Sequence, residues 1–110
     1  MARHINPLAF GSYTITAEAG SLFSFAEDGS PTTLPTTALS FKGRLETANV
    51  RARMDGVPPT STVGELIDAG DDILLDKAMV QNVQFIRDGG TDAELKGHFY
   101  SVEASVFVGG

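Results

Sequence analysis

Val50-Arg51-Ala52-Arg53-Met54-Asp55-Gly56 sets apolar side chains at 50, 52 and 54 against guanidinium groups at 51 and 53, then runs into an Asp-Gly pair. Period two marks a strand buried on one face, because successive side chains of an extended chain point to opposite sides. The glycine suits a turn, since it accepts the positive φ that tight turns require. The same alternation recurs outward from this stretch at Tyr13, Ile15 and Ala17, at Phe23 and Phe25, at Leu39 and Phe41, and at Ile73 and Leu75. No window of a dozen residues holds a 3.6 period, while Gly, Pro, Asn and Asp clusters break the chain at short intervals. The pattern predicts a single all-β domain: an antiparallel β-sandwich or jelly-roll-like barrel of about seven or eight strands, with helix in less than about a quarter of the residues.

The punctuation refines that expectation. Glu27-Asp28-Gly29-Ser30-Pro31 opens a Thr- and Pro-rich stretch to Thr37, which predicts an exposed loop between the second and third strands. Asp88-Gly89-Gly90 predicts a turn after Val83–Arg87. At Thr62-Val63-Gly64-Glu65 a hydroxyl and a carboxylate stand in capping-box order, predicting a short helical turn that Gly70 would end. The last strand is expected to run from Ala93 to Val108 and to change face, because Leu95, Gly97 and Phe99 share one parity and Val102, Ala104, Val106 and Val108 the other. A bulge or bend near Tyr100-Ser101 would reconcile the two. Residues 1–12 read as an extended N-terminal arm and 13–110 as the β domain, since Pro7 and Gly11 discourage regular pairing while Ile5, Leu8 and Phe10 supply apolar anchors.

A chain of 110 residues is long enough for one core. At 42% hydrophobic and 20% charged residues, its composition is that of an ordinary globular domain. Fourteen acidic against eight basic side chains leave a net charge of −6, which argues against a surface that tracks nucleic-acid phosphates. There is no cysteine, so disulfides, thiol nucleophiles and thiolate metal sites are excluded together, as suits assembly in a reducing cytoplasm. The N-terminal Met1–Pro7 has no apolar stretch of signal-peptide length, and no segment approaches the roughly 20 apolar residues of a membrane helix. The expectation is a protein that stays where it is made or leaves within something larger, with no membrane partner.

Chemistry-bearing constellations are sparse. Asp68, Asp71, Asp72 and Asp76 form the best metal candidate, but they lack the alternating ligands, central Gly and distant Glu of a calcium loop, so a solvated acidic loop is expected. His4 and His98 are not spaced to share a metal, and His98 lies on the strand parity opposite Leu95 and Phe99, which predicts an exposed histidine. Neither a Gly-x-Ser-x-Gly elbow nor a phosphate-binding glycine loop occurs. The chain is therefore read as non-enzymatic, with no cofactor and no resident metal. Arg51 and Arg53 share one strand face and can meet carboxylates, an internal one such as Glu46 or Asp55 being favoured over a partner's.

Leu45–Thr60 resembles a pattern in small structural proteins of tailed bacteriophages and prophages, in which T-A-x-[IV]-R-x-R-x-D-G-x-x-P-T precedes a Gly, an apolar pair, another Gly and an apolar strand. Here those later positions look like Gly64, Leu66-Ile67, Gly70 and Ile73-Leu74-Leu75, and Phe85-Ile86-Arg87 with Ala93-Glu94-Leu95 resembles the closing strands. The resemblance covers roughly residues 47–100 and implies a virion component with a β-sandwich-like fold. The leading expectation is a capsid decoration or cement protein bound over joints of the major capsid lattice, on the capsid surface of a virion built in the host cytoplasm. Its partners would be the major capsid protein or other virion proteins, together with further copies of itself in a homo-oligomer such as a trimer. Its contact residues would be Ile5, Leu8, Phe10, Arg51 and Arg53. Another virion part (head-to-tail, tail or fibre) is the first alternative, and a carbohydrate-binding β-sandwich module the second.

Overall fold

The computed structural model describes residues 7–108. Eight strands follow in chain order: β1 (Pro7–Ile15), β2 (Gly20–Ser21), β3 (Ser40–Glu46), β4 (Val50–Arg53), β5 (Glu65–Ile67), β6 (Asp72–Asp76), β7 (Gln84–Arg87) and β8 (Ala93–Tyr100). Among the described residues helix is confined to a 3-10 turn at Leu22–Phe25 and to two short helices, α1 (Lys77–Asn82) and α2 (Ser105–Val108).

The strands form two antiparallel four-stranded sheets, in the orders β1-β8-β3-β6 and β2-β7-β4-β5. Each strand of the first half is bonded to its counterpart counted from the other end: β1 to β8, β2 to β7, β3 to β6 and β4 to β5. The chain is thus one long hairpin, rolled so that β8 also meets β3 and β7 also meets β4. That is the jelly-roll connectivity, one of the two-sheet solutions by which antiparallel proteins limit free edges.

The alternation that announced the strands fills the space between the sheets. Tyr13, Ile15, Phe41, Leu45, Leu95 and Phe99 point inward from the first sheet, Val50, Ala52 and Phe85 from the second, and all are buried. Each large side chain removed from water in this way contributes about 1.5–3 kcal/mol. Three glycines, Gly11, Gly97 and Gly43, lie side by side across β1, β8 and β3 on the inner face. The Tyr13 and Phe41 rings fold over this bare row: a Cβ at Gly11 would stand 2.6 Å from the Tyr13 ring and one at Gly43 2.8 Å from the Phe41 ring. Phe41 also meets Phe99 at 5.0 Å and Tyr13 edge-on at 6.1 Å, offsets that aromatic quadrupoles favour.

Several local expectations are corrected. Pro7–Ser12 is not an arm but the first part of β1, paired with β8 through a register shift between Pro7 and Ala9. Gly11 serves packing beneath Tyr13 instead of breaking the pairing. Ile5 and His4 lie outside the described residues. Phe23 and Phe25 sit on the 3-10 turn and not on a strand, because Ser21 caps it: Ser24 N–H donates to Ser21 Oγ (3.3 Å) and Ser24 Oγ to the Ser21 carbonyl (2.8 Å).

Thr62–Glu65 is not helical. Thr60 Oγ1 instead accepts from Val63 N–H (2.9 Å), Gly64 takes φ 140°, and Glu65 opens β5. The helix that does form, α1, starts where Asp76 Oδ1 accepts from Met79 N–H at 2.8 Å.

The last strand stops at Tyr100, with no bulge beyond it. Ser40, buried although polar, donates from Oγ to the Val102 carbonyl (2.7 Å), while Leu39 N–H donates to the Tyr100 carbonyl (2.8 Å). These bonds draw the chain around the end of β3, and α2 follows, so the parity change marks a strand giving way to a helical turn.

Candidate partner-binding surface

The outward face of the first sheet carries the most unusual surface among the described residues. One row across it reads Phe10, His98, Lys42 and Leu74, on β1, β8, β3 and β6 respectively. Phe10 is 52% exposed and Leu8, on the same strand, 41%. Phe10 stands edge-on to His98 (5.1 Å between ring centres), His98 is tilted against Tyr100 (6.2 Å), and Tyr100 against Phe107 of α2 (4.9 Å). Lys42 Nζ lies 5.3 Å from the centre of the Phe107 ring, a cation–π approach. An apolar strip therefore runs from Leu8 and Phe10 through the imidazole to the C-terminal turn. Leaving such a strip in water is what marks a contact surface, whereas apolar side chains scattered singly are ordinary.

The next row holds charges that largely satisfy one another. Lys96 lies between Glu94 (3.3 Å) and Glu46 (3.5 Å), whose carboxylates hold its ammonium above the usual lysine range, Glu94 contributing most. Arg44 approaches Asp72 at 3.8 Å. Exposed pairs of this kind contribute little to stability.

Beside them the loop after the 3-10 turn is clasped to β1. Glu27 Oε2 accepts from Ser12 Oγ (2.7 Å) and Thr14 Oγ1 (2.9 Å), and these two bonds hold its carboxyl below the usual glutamate range. Glu27 N–H donates to the Ser12 carbonyl (3.0 Å), and Ser12 N–H donates to Ser30 Oγ (2.8 Å).

Arg51 and Arg53 lie on the outer face of the other sheet, so the structure does not bring them together with Leu8 and Phe10. Both are held from within the chain. Arg53 donates twice to Asp55, from Nε at 3.1 Å and Nη2 at 2.6 Å, which lowers the Asp55 carboxyl and raises the guanidinium. Arg51 donates from Nε to Asp88 (3.0 Å) and from Nη1 to the Gly64 carbonyl (3.2 Å). Asp55 is one of the two internal partners expected, whereas Glu46 pairs with Lys96 instead.

The acidic stretch is divided among structural tasks: Asp76 caps α1, Asp72 faces Arg44, and Asp71 N–H donates to the Asp68 carbonyl in a turn. Among the described residues no three His, Asp or Glu side chains are grouped to hold a metal ion. His98 belongs to the aromatic strip.

Tyr100 and Phe107 are the members of this surface that sequence reading missed. Both fell within one expected strand, where residues seven apart stand more than about 20 Å from each other and cannot meet. No sequence signal marked them: Ser40 shares the outward parity of Lys42 and Arg44, and it is buried only because the tail folds over it and its Val102 carbonyl accepts the Ser40 hydroxyl.

Comparison of the chain with family models, with curated proteins and with solved structures finds no match.

Proposed function

We propose that this protein is a non-enzymatic structural subunit of a virus particle, a capsid decoration or cement protein that binds over joints of the major capsid lattice. The observation that carries the reading is the exposed pair Leu8 and Phe10, continuous with the aromatic strip on the outer face of the first sheet. The phage-like order of motifs over residues 47–100 supports it from the side of sequence. Apolar anchors in contact with a partner supply most of the binding energy of such interfaces, and charges at the rim supply little. Leu8 and Phe10 are accordingly the residues on which binding depends, and Arg51 and Arg53, bonded to Asp88 and Asp55, serve the scaffold.

Cementing of this kind works by mass action. A subunit that binds only the assembled lattice stabilises it by on the order of 3 kcal/mol per site at a hundredfold excess over Kd. The test compares survival of particles with and without the protein under heat or osmotic shock, alongside Phe10→Ala. Bare particles should fail first, and the variant should protect poorly. Equal survival of bare and decorated particles would overturn cementing and favour a tail, head-to-tail or fibre part.

The aromatic strip is also the observation that favours carbohydrate binding. Its neighbouring rings, however, stand 53–63° to one another and offer no shared flat platform, and Tyr13 is buried in the core. Specific capture by a glycan array would move this reading to the front.

A further inference from the structure

An eight-stranded jelly roll has four sheet edges, here β1, β6, β2 and β5. Three are guarded or short. β6 is flanked by Asp72 and Asp76, β5 has three residues beginning with Glu65, and β2 has two residues. Charge, brevity, proline and bulges are the usual protections against pairing with another chain. β1 differs, because its nine residues Pro7–Ile15 carry no charged side chain and its proline and register shift are confined to its first residues, Pro7–Ala9.

The far half of that edge is already occupied. Ser12 N–H and C=O point away from β8, to Ser30 Oγ and Glu27 N–H, and Tyr13 bridges to Ala26. Alternation along the strand turns the N–H and C=O of Phe10 to the same outer side, and among the described residues no hydrogen bond meets them. The open part of the edge is therefore Pro7–Gly11, whose side chains include the exposed Leu8 and Phe10.

We infer that two copies of this chain pair edge to edge through this segment, β1 running antiparallel to β1 of the second copy about a two-fold axis at Ala9. Self-pairing is the arrangement that this edge fits. A two-fold axis sets a strand against itself, so any charge near the axis would oppose its own like, and β1 has none. The axis must lie near Ala9, since the loop at Ser12 blocks a register centred further along. About that axis Phe10, and Leu8 at the register shift, meet their counterparts of the second copy, apolar against apolar. The pairing is isologous and closes at two, because the other edge of the same sheet ends in aspartates. The outcome is a continuous sheet of eight strands whose two aromatic strips lie on the same face. On the cement reading this face would present paired contacts to the lattice, but the pairing itself rests only on the edge.

Sedimentation equilibrium of the purified chain tests this, with Phe10→Lys and Ala9→Cys as variants. The wild type should dimerise reversibly. Phe10→Lys, which places like charges on both sides of the axis, should weaken the dimer about a hundredfold while leaving the circular dichroism spectrum unchanged. Ala9→Cys, in a chain with no other cysteine, should form a covalent dimer on mild oxidation, because residues in such a non-hydrogen-bonded pair lie about 4.5 Å apart between Cα atoms. A wild type that stays monomeric at millimolar concentration, a trimer, or an undiminished Phe10→Lys dimer would overturn the pairing. A monomer that still binds particles would refute the pairing alone, and a dimer absent from particles would refute the cement reading alone.

Discussion

Gly97 and Gly43 face each other across β8 and β3 so closely that a Cβ on Gly97 would stand 2.5 Å from the Gly43 Cα and 2.3 Å from the Lys42 carbonyl oxygen. Neither atom can step aside without moving backbone, and the Phe41 ring closes the remaining space at 2.8 Å. Gly97→Ala should therefore destabilise the domain by about 3 kcal/mol. Gly90→Ala, where nothing lies within 4 Å, should change stability by less than about 0.5 kcal/mol. Urea unfolding of the two variants checks the contrast, and equal midpoints would refute the close packing of β3 against β8.

The tie between Ser40 and the C-terminal turn supports a second prediction. Ser40→Ala removes the bond to the Val102 carbonyl and should cost about 1–2 kcal/mol. Amide exchange at Val106 and Phe107 should accelerate well before that of β3. If the turn keeps its protection, Phe107 is held by the Tyr100 ring and Lys42 alone.

What could be read from the sequence divides along the range of the interactions. Val50, Ala52, Phe41 and Leu75 announced their strands because a half-buried strand imposes its period on each residue in turn. The strand number and the two-sheet architecture followed from the same local signal. Pro7 and Gly11 misled, because the features that break a strand in isolation here lie at its end and beneath an aromatic ring. Phe23, Phe25 and the segment after Tyr100 misled because hydroxyl bonds from Ser21, Ser24 and Ser40 compete with the ladder, and no period records them. Of the candidate site, Leu8 and Phe10 were legible as apolar anchors, though of an arm and not of a strand. Their neighbours His98, Tyr100 and Phe107 depended on register and on the turn of the tail.

Tyr13 makes stability fall at high pH. Burial raises its phenol above the ordinary value of 10.0, so its stabilising effect is complete below that pH and is lost as pH rises through the folded value. Tyr13→Phe should unfold at higher pH than the wild type. Near neutrality it should differ by less than about 1 kcal/mol, since the hydroxyl's bond to the Pro31 carbonyl is long at 3.4 Å. Alkaline titration followed by circular dichroism decides, and identical alkaline midpoints would contradict the burial of the phenol.

Glu27 acts at the opposite end of the scale. The Ser12 and Thr14 hydroxyls lower its carboxyl below 4.5, so the clasp between loop and β1 is complete above that pH and fails as pH falls through the folded value. Glu27→Gln should loosen residues 26–31 already at neutral pH and flatten their acid response, as amide chemical shifts would record. Unchanged shifts at neutral pH would show that the Ser30 bonds suffice to hold the loop.

The central claim is that the chain is built into a virus particle by contact, in many copies, over the capsid lattice. Its most direct test is the molar ratio of this protein to the major capsid protein in purified particles, measured by quantitative mass spectrometry. A fixed ratio that tracks the capsid lattice, lost with Phe10→Lys, is the predicted result. Absence from particles, or the few copies of a tail component, would contradict it.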